Sequence, residues 1–561
     1  MKTICIFPPC FDPSMPYLAP YLLKSYVNDY FNEEVLSIID LNILFYNEVC
    51  ENKYKNFNAG ENIKDSIDKA FELEKLMEIE MLNFSKKHNV ILTRQSLGFF
   101  FNRFKSEEVY QYLQEDTSFS SFLTNLVELH INNEYELYCF SIACQDQLIP
   151  ALIISKYIKK RNPNSKIVLG GNIISRCYQT LITSPLIAFF DFLVLKEGEV
   201  AFCNLINKIA KKELVTELNV NSIYSVSENR IIDGTDKVSI LDLDYIPMAS
   251  FDKINKELYF APELVLPIFL SRGCSWDRCK FCGISDNWSS KYRAKSASKV
   301  CDEIEFYLKQ YNCKYFRFID ESPALSDLLK IAEEIIKREI DINIEVYLNL
   351  SEKLLDEKII SVLSIAGIKQ FFFGIESVNR EVLTSMDKNI NEPVHFEEIL
   401  KNTAKYGIHN YAFFLIGYPT DSLDNEDLLK QFIVKTQDVE TVAIASFIPV
   451  LGTKITTDAT ISEKHRIKYK LKGDLTNKCD YTVNGEDVSI AVRNRTKGIV
   501  EFIMQNRKDI YISSKMPYET RFYMCSQYGN DFGKKYVEQG GSIANTIQLS
   551  QEQEARALRT V

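Results

Sequence analysis

Cys274, Cys279 and Cys282 fall together in the segment SRGCSWDRCKFCGI, and thiols this close in sequence can share one metal centre. Zinc and iron–sulfur clusters both take soft thiolate ligands at short spacings. A structural zinc site needs four closed ligands, and no neat fourth one stands nearby. The nearest histidines by number are His130 and His395, while Cys301 and Cys313 lie on what reads as a helix and its far end. Three cysteines that leave one iron open suit a four-iron cluster that binds something else at the free site, and this is the preferred reading. The chain has 14 cysteines, too sparse for a disulfide scaffold, and most of the others stand alone in apolar runs such as Tyr138-Cys139-Phe140. Those read as small buried hydrophobes.

The cysteine segment must be carried by regular elements, and from Leu264 the chain has a strand-then-helix rhythm. Strands are expected near Leu264–Leu270, Tyr315–Asp320, Ile344–Asn349, Gln370–Glu376, Tyr411–Gly417 and Val442–Val450. Six such units predict a partial (β/α)6 barrel over 264–453, open on one side, whose chemistry gathers at the carboxyl ends of the strands. The cysteines follow the first of these strands directly.

Ahead of the barrel, residues 1–211 alternate short apolar runs with helical stretches, the pattern of an α/β doubly wound, Rossmann-like parallel sheet. Its expected strands are Ile4–Phe7, Val35–Leu41, Leu137–Ala143, Lys166–Leu169 and Phe190–Lys196, and ligands of such sheets sit beyond the carboxyl ends. A helical insertion at about 51–133 reads as a cap on the sheet, and 212–263 as a linker with a small hairpin. Residues 454–561 predict a small mixed C-terminal domain, in which RIKYKLK reads as a solvated basic strand, VNGEDV as a tight Asn-Gly hairpin and the end as a polar tail.

Composition bounds what the assembly can do. The 561 residues are 46% hydrophobic and 25% charged, enough apolar material for two large domains with an appendage. A net charge of −10 leaves no global positive field for a phosphate backbone or an anionic bilayer. No apolar run is long enough to span a membrane, and Pro8 and Pro9 interrupt the start before a signal-like core develops. The expectation is a soluble cytoplasmic protein that binds neither nucleic acid nor membrane.

Over Leu264–Gly452 the sequence resembles the radical S-adenosylmethionine superfamily, in which three cysteines follow the first barrel strand. The usual spacing has three residues between the first two cysteines; here there are four. The resemblance implies a [4Fe-4S] cluster on Cys274, Cys279 and Cys282, S-adenosylmethionine (SAM) chelated at the open iron, and its reductive cleavage to a 5′-deoxyadenosyl radical. Phe281 matches the family's aromatic residue against adenine. Asp320 and Glu321 in FIDESP match the acidic end that binds the methionine amine, although for Asp320 a helix cap or acidic turn is an equal reading. Glu376 and Ser377 in FFFGIES match polar groups aimed at ribose and carboxylate. Lys388 resembles a lysine of related enzymes, with an exposed surface lysine the preferred reading. Gly417 either lets the backbone approach adenine or is a turn glycine.

Residues 1–211 resemble the cobalamin-binding domain that precedes the barrel in one branch of this superfamily. The matching features are Pro8 and Pro9 after the first strand, Ser141 after the third, Gly170 and Gly171 after the fourth, and Glu197, Gly198 and Glu199 after the fifth. Singly, a Gly-Gly pair is usually a turn and Glu-Gly-Glu a helix start; together, at successive strand ends, they imply a corrin site. The Asp-x-His-x-x-Gly turn of many cobalamin domains is missing, since no histidine precedes His88. The implied function is a cobalamin-dependent radical methyltransferase acting on an unactivated carbon of a natural-product precursor or peptide, served by an electron donor such as flavodoxin or ferredoxin. The alternatives are a radical rearrangement, cyclisation or oxidation without methyl transfer, and a non-catalytic cobalamin or iron–sulfur binding protein.

Overall fold

Parallel strands buried on both faces need continuous apolar runs, and TICIF, LYCFS and KIVLG supply them. In the computed structural model the described residues are 1–51, 60–131, 134–212, 223–226, 230–232, 241–252, 254–284, 292–388 and 392–542. The polar tail expected from Gly540 lies mostly outside them.

The first sheet comprises β1 (Thr3–Phe7), β2 (Leu36–Asp40), β3 (Leu137–Ser141), β4 (Lys166–Gly170), β5 (Phe192–Val194), β6 (Ile223–Ser225) and β7 (Arg230–Ile232). Its order is β2-β1-β3-β4-β5-β6-β7. The first five are parallel, with Thr3 paired to both Leu36 and Leu137 and Leu137 to Lys166. The strand order reverses beside β1, opening a crevice at the carboxyl ends between β1 and β3. β6 and β7 add antiparallel to β5, so the hairpin expected in the linker belongs to this sheet.

Alternation sends Ile4, Ile6, Phe140, Leu169 and Leu193 into a core with helix Leu148–Arg161 and the insertion. Cys5, Cys139, Val168 and Val194 go to the opposite face with Val27 and Phe202. The insertion holds three helices, Ile63–His88, Ser106–Gln114 and Ser118–His130. The first is started by Asn62, whose side chain accepts from Asp65 N. Its Met77, Met81 and Phe84 cap the first sheet, whereas its Ile63, Ile67 and Ala70 pack on the C-terminal helices through Ile512, Met524 and Phe532.

The second sheet comprises β8 (Val265–Ile268), β9 (Tyr315–Phe318), β10 (Asn343–Leu348), β11 (Ile368–Glu376), β12 (His409–Ile416) and β13 (Thr441–Ser446). The order is sequential and every pair is parallel. Leu266, Phe316, Val346, Phe373 and Phe414 point to the helix layer. The alternate residues face the lumen, and register stacks them in layers: Arg317, Glu345, Gln370 and His409 in one, Tyr347, Phe372 and Tyr411 in the next.

The C-terminal stretch is mixed as expected, with β14 (Ile467–Leu471) antiparallel to β15 (Cys479–Val483). Asn484 and Gly485, at φ 54° and 88°, turn β15 back into the short antiparallel strand Glu486–Asp487. Its helices do not form a core of their own. Ile499, Ile503, Ile510 and Tyr511 are part of the barrel core, and helix Tyr518–Tyr528 places Glu519 on Arg317 and Phe522 on Tyr315. The partial barrel's open side is filled by the C-terminal helices Ser489–Asn506, Lys508–Lys515 and Tyr518–Tyr528. Among the described residues no helix is long and apolar enough to cross a membrane.

Candidate active site

The loop Gly273–Ile284 leaves the barrel mouth and is pinned on three sides. Ser275 N donates to Ser322 O (3.1 Å), Trp276 Nε1 to Asp387 O (2.8 Å), and Lys280 N to Met386 O (2.8 Å). Ile455 N donates back to Lys280 O at 2.8 Å. Cys274, Cys279 and Cys282 are all half-buried on this loop. Burial pushes the Cys279 thiol up to about 12, with Cys282, Glu376 and Cys274 adding to the effect and Lys388 opposing it. Thiols held neutral in this way become ligands when a cation replaces the proton. Among the described residues no three His, Cys, Asp or Glu side chains converge on a single metal ion. Three neighbouring thiols spread around a loop fit a cluster whose irons each take one thiolate better than one tetrahedral zinc.

Glu376, at the end of β11 with φ 64°, faces this loop and forms an ion pair with Lys388 at 3.0 Å. The lysine is 9% exposed, so the reading as a surface lysine is corrected. Burial works against its charge, but Glu376 and the neighbouring Cys279 and Cys274 together raise its pKa. Gly374 makes room for the pair, because a Cβ there would lie 2.8 Å from both Glu376 Oε1 and Lys388 Nζ. Ser377 Oγ accepts from Asn379 N, turning the chain into helix Arg380–Ser385. Phe281 lies edge-on to the buried Tyr418 at 6.5 Å.

Two residues expected at the cofactor serve the scaffold. Asp320 is buried, and its carboxylate accepts from Leu270 N, Ser271 N and Ser271 Oγ. It ties down the turn that leads to the cysteines, and burial pushes its carboxyl up to about 6. Gly417 is a turn glycine: at φ 87°, a Cβ would strike Val492 at 2.4 Å, and its carbonyl accepts from Tyr481 OH at 2.6 Å.

A cavity of about 730 Å³ lies between the carboxyl ends of the first sheet and the barrel mouth. Ser141, Gly170, Gly171, Glu197 and Gly198 line it from one side, and Asp320 and Glu321 from the other, joined by Phe269, Tyr347 and Tyr518. Pro8 and Pro9 do not; they are buried behind it, and Pro8 O accepts from Gln147 Nε2 at 2.6 Å. The first-strand loop meets the cavity through Phe11, Ser14 and Tyr17 instead. Gly171, at φ 108°, is required by close approach, since a Cβ would sit 2.4 Å from Ile142 O. Asn172 Oδ1, on the cavity wall, is buried without a partner and open to a polar ligand. The backbone-lined concavity and this orphaned acceptor fit a large corrin, and none of the chain's five histidines lines the cavity.

Sequence reasoning missed what the Lys-Glu-Gly-Glu turn does. Arg272, two residues before Cys274, forms ion pairs with both Glu197 and Glu199, and Arg293 joins Glu197 at 2.5 Å. Arg272 is 5% exposed. The same turn therefore lines the cavity and clamps the cysteine loop to the first sheet. Its only signal was a cluster of carboxylates; the arginines that satisfy them lie 73 to 96 residues away.

Residues 268–432 match the family model described as the Radical SAM superfamily. An uncharacterized methyltransferase of Pyrococcus horikoshii is 24% identical over 316 residues, 56% of this chain and 67% of that protein. The anaerobic magnesium-protoporphyrin IX monomethyl ester cyclase of Rubrivivax gelatinosus is 28% identical over 276 residues, 47% of this chain and 48% of its own. The chain thus spans about two thirds of the first relative and about half of the second. Among solved structures, the radical S-adenosylmethionine methyltransferase TsrM from Kitasatospora setae, with cobalamin and a [4Fe-4S] cluster bound, superposes with TM-score 0.62 at 12% identity, over 96% of this chain and 100% of that one.

Proposed function

We propose, starting from the radical SAM domain that this chain carries over residues 268–432, that it is a cobalamin-dependent radical SAM methyltransferase acting on an unactivated carbon of a small molecule or peptide. The observation that carries this reading is the cavity. It is bounded by the ligand-binding edge of a doubly wound sheet and by a barrel mouth, and Arg272 ties the cysteine loop to that same edge.

When bound, the cluster supplies the electron that cleaves SAM and cobalamin carries the methyl group. Cys274, Cys279 and Cys282 hold the iron, on a loop immobilised by Ser322, Met386 and Asp387. Glu376 and Lys388 form a fixed charge pair beside the thiols, placed to orient the polar end of SAM. Phe281, against Tyr418, offers an aromatic face to the adenine. Gly170, Gly171, Ser141 and Asn172 line the corrin side with backbone and small polar groups. Walls drawn from both sheets and from helix Tyr518–Tyr528 keep water from the reacting carbon. A one-electron donor such as flavodoxin or ferredoxin completes the cycle.

A second reading is a radical cyclisation without methyl transfer, favoured by the similarity to the cyclase. Anaerobic reconstitution with iron, sulfide and cobalamin, followed by SAM and a one-electron reductant, tests both. The visible spectrum should carry cluster and corrin bands, and turnover should give 5′-deoxyadenosine together with S-adenosylhomocysteine. Deoxyadenosine alone would favour the second reading, and neither product with an intact cluster would refute both.

A further inference from the structure

A second cavity, of about 330 Å³, lies between the insertion helix Ile63–His88, the lumen residue Tyr411 and the C-terminal helices. It shares Gln95 and Tyr518 with the main cavity, so the two are neighbours with these residues in their common wall. Arg521 lines it and is 1% exposed. Its Nη1 donates to Ser513 O and Met516 O, both at 3.2 Å. Its Nε and Nη2 are buried and meet no acceptor. Among the described residues Arg521 forms no ion pair, whereas Arg317, in the same lumen, pairs with Glu345 and Glu519.

The Arg521 guanidinium carbon lies 4.3 Å from the Tyr411 ring centroid and 4.8 Å from that of Tyr518, against a pair of rings that stack on each other. The unpartnered donors Nε and Nη2 form one edge of the guanidinium, and that edge matches two oxygens of a carboxylate or phosphate. We propose that Arg521 anchors an oxyanion of the substrate, with the substrate's flat apolar body lying toward Tyr518 and Tyr347 on the wall of the main cavity. The other charged groups of the cavity do not fill the role. Glu74 is paired with Arg94 at 2.5 Å, Lys515 is a separate cation, and burial next to Glu74 pushes Glu78 up to about 7, so that near neutrality it is partly protonated. The inference rests on the barrel being the substrate chamber of the proposed enzyme and names the class of molecule it accepts.

The test is binding, read without turnover. Phenylacetate, phenyl phosphate and neutral phenylacetamide are titrated into the full chain by ligand-observed NMR, with and without reconstituted cofactors. At least one anion should bind ten-fold or more tightly than the amide, the tighter of the two identifying the oxyanion. Arg521→Gln should abolish that advantage while leaving phenylacetamide binding as it was, and Arg521→Lys should keep part of it. Equal binding of all three probes, no binding of any, or an anion preference that survives Arg521→Gln would overturn the proposal. Should Arg521→Gln fail to fold, the wild-type ratio still decides. Because no step depends on SAM, a chain that prefers the anion yet never cleaves SAM would sink the enzymatic reading and leave the anchor standing, and the converse would do the opposite.

Discussion

Both sheets of this protein are parallel, yet they use their faces differently. The first buries apolar side chains on both sides, so its polar chemistry is confined to its carboxyl ends at Ser141, Gly170 and Gly171. The barrel sheet packs its outer face with apolar side chains alone, whereas its inner face also carries a polar layer of Arg317, Glu345 and Gln370, with Gln370 Nε2 donating to Glu345 at 2.8 Å. An open sheet covered by helices on both sides has nowhere to keep a charge except its rim. A closed lumen can hold charges if each finds a partner, and the C-terminal helix provides one in Glu519.

The contrast can be broken most severely at the barrel mouth. Cys279→Ala should remove the cluster's visible absorption and reduce SAM cleavage to background while far-UV circular dichroism stays unchanged, and retained cleavage would disprove the assignment. Next, Glu345→Ala leaves Arg317 with one carboxylate and should lower unfolding stability by about 3–5 kcal/mol in urea, against about 0.5–1.5 kcal/mol for Ile6→Val in the apolar first sheet. Equal costs would mean that the two faces do not differ as argued. Arg272→Met should cost less than Glu345→Ala, because Arg293 still neutralises part of the carboxylate pair, but it should loosen the cysteine loop and speed loss of iron to a chelator.

Gly171→Ala sharpens the comparison from the other side. Positive φ and contact with Ile142 O should cost about 1–3 kcal/mol and lower cobalamin retention, with the isolated cluster's spectrum intact. The smallest effect expected is a pH dependence. Asp320 is held up to about 6 by burial, against 3.8 for an ordinary aspartate. Between these values the folded chain keeps a proton that the unfolded chain has released, so raising the pH through that window weakens folding. Asp320→Asn should flatten this slope in denaturation midpoints measured from pH 4 to 7; an unchanged slope would place the titration elsewhere.

Strands and their alternation were legible because periodicity is a local property, and all eleven expected strands lie within a few residues of observed ones. The cysteine loop was legible for the same reason: its ligands are neighbours in the chain. Lys388 was misjudged because its surroundings in sequence, SMDKNI, are polar, and only the fold brings Glu376 and Gly374 over it. Asp320 and Gly417 were left between cofactor and scaffold because side-chain type does not say which way a carboxylate turns or what fills the space beside a glycine.

Local pattern by itself determined two parallel α/β sheets in tandem, three thiols close together on one loop, and an N-terminal segment with no histidine before His88. Tertiary structure alone decided that the C-terminal helices close the barrel, that Arg272 fastens the thiol loop to the first sheet, and that Arg521 is buried with donors unspent. The physical reason is range: hydrophobic periodicity is written within ten residues, whereas pairing of buried charges depends on groups that only folding brings within a few ångströms.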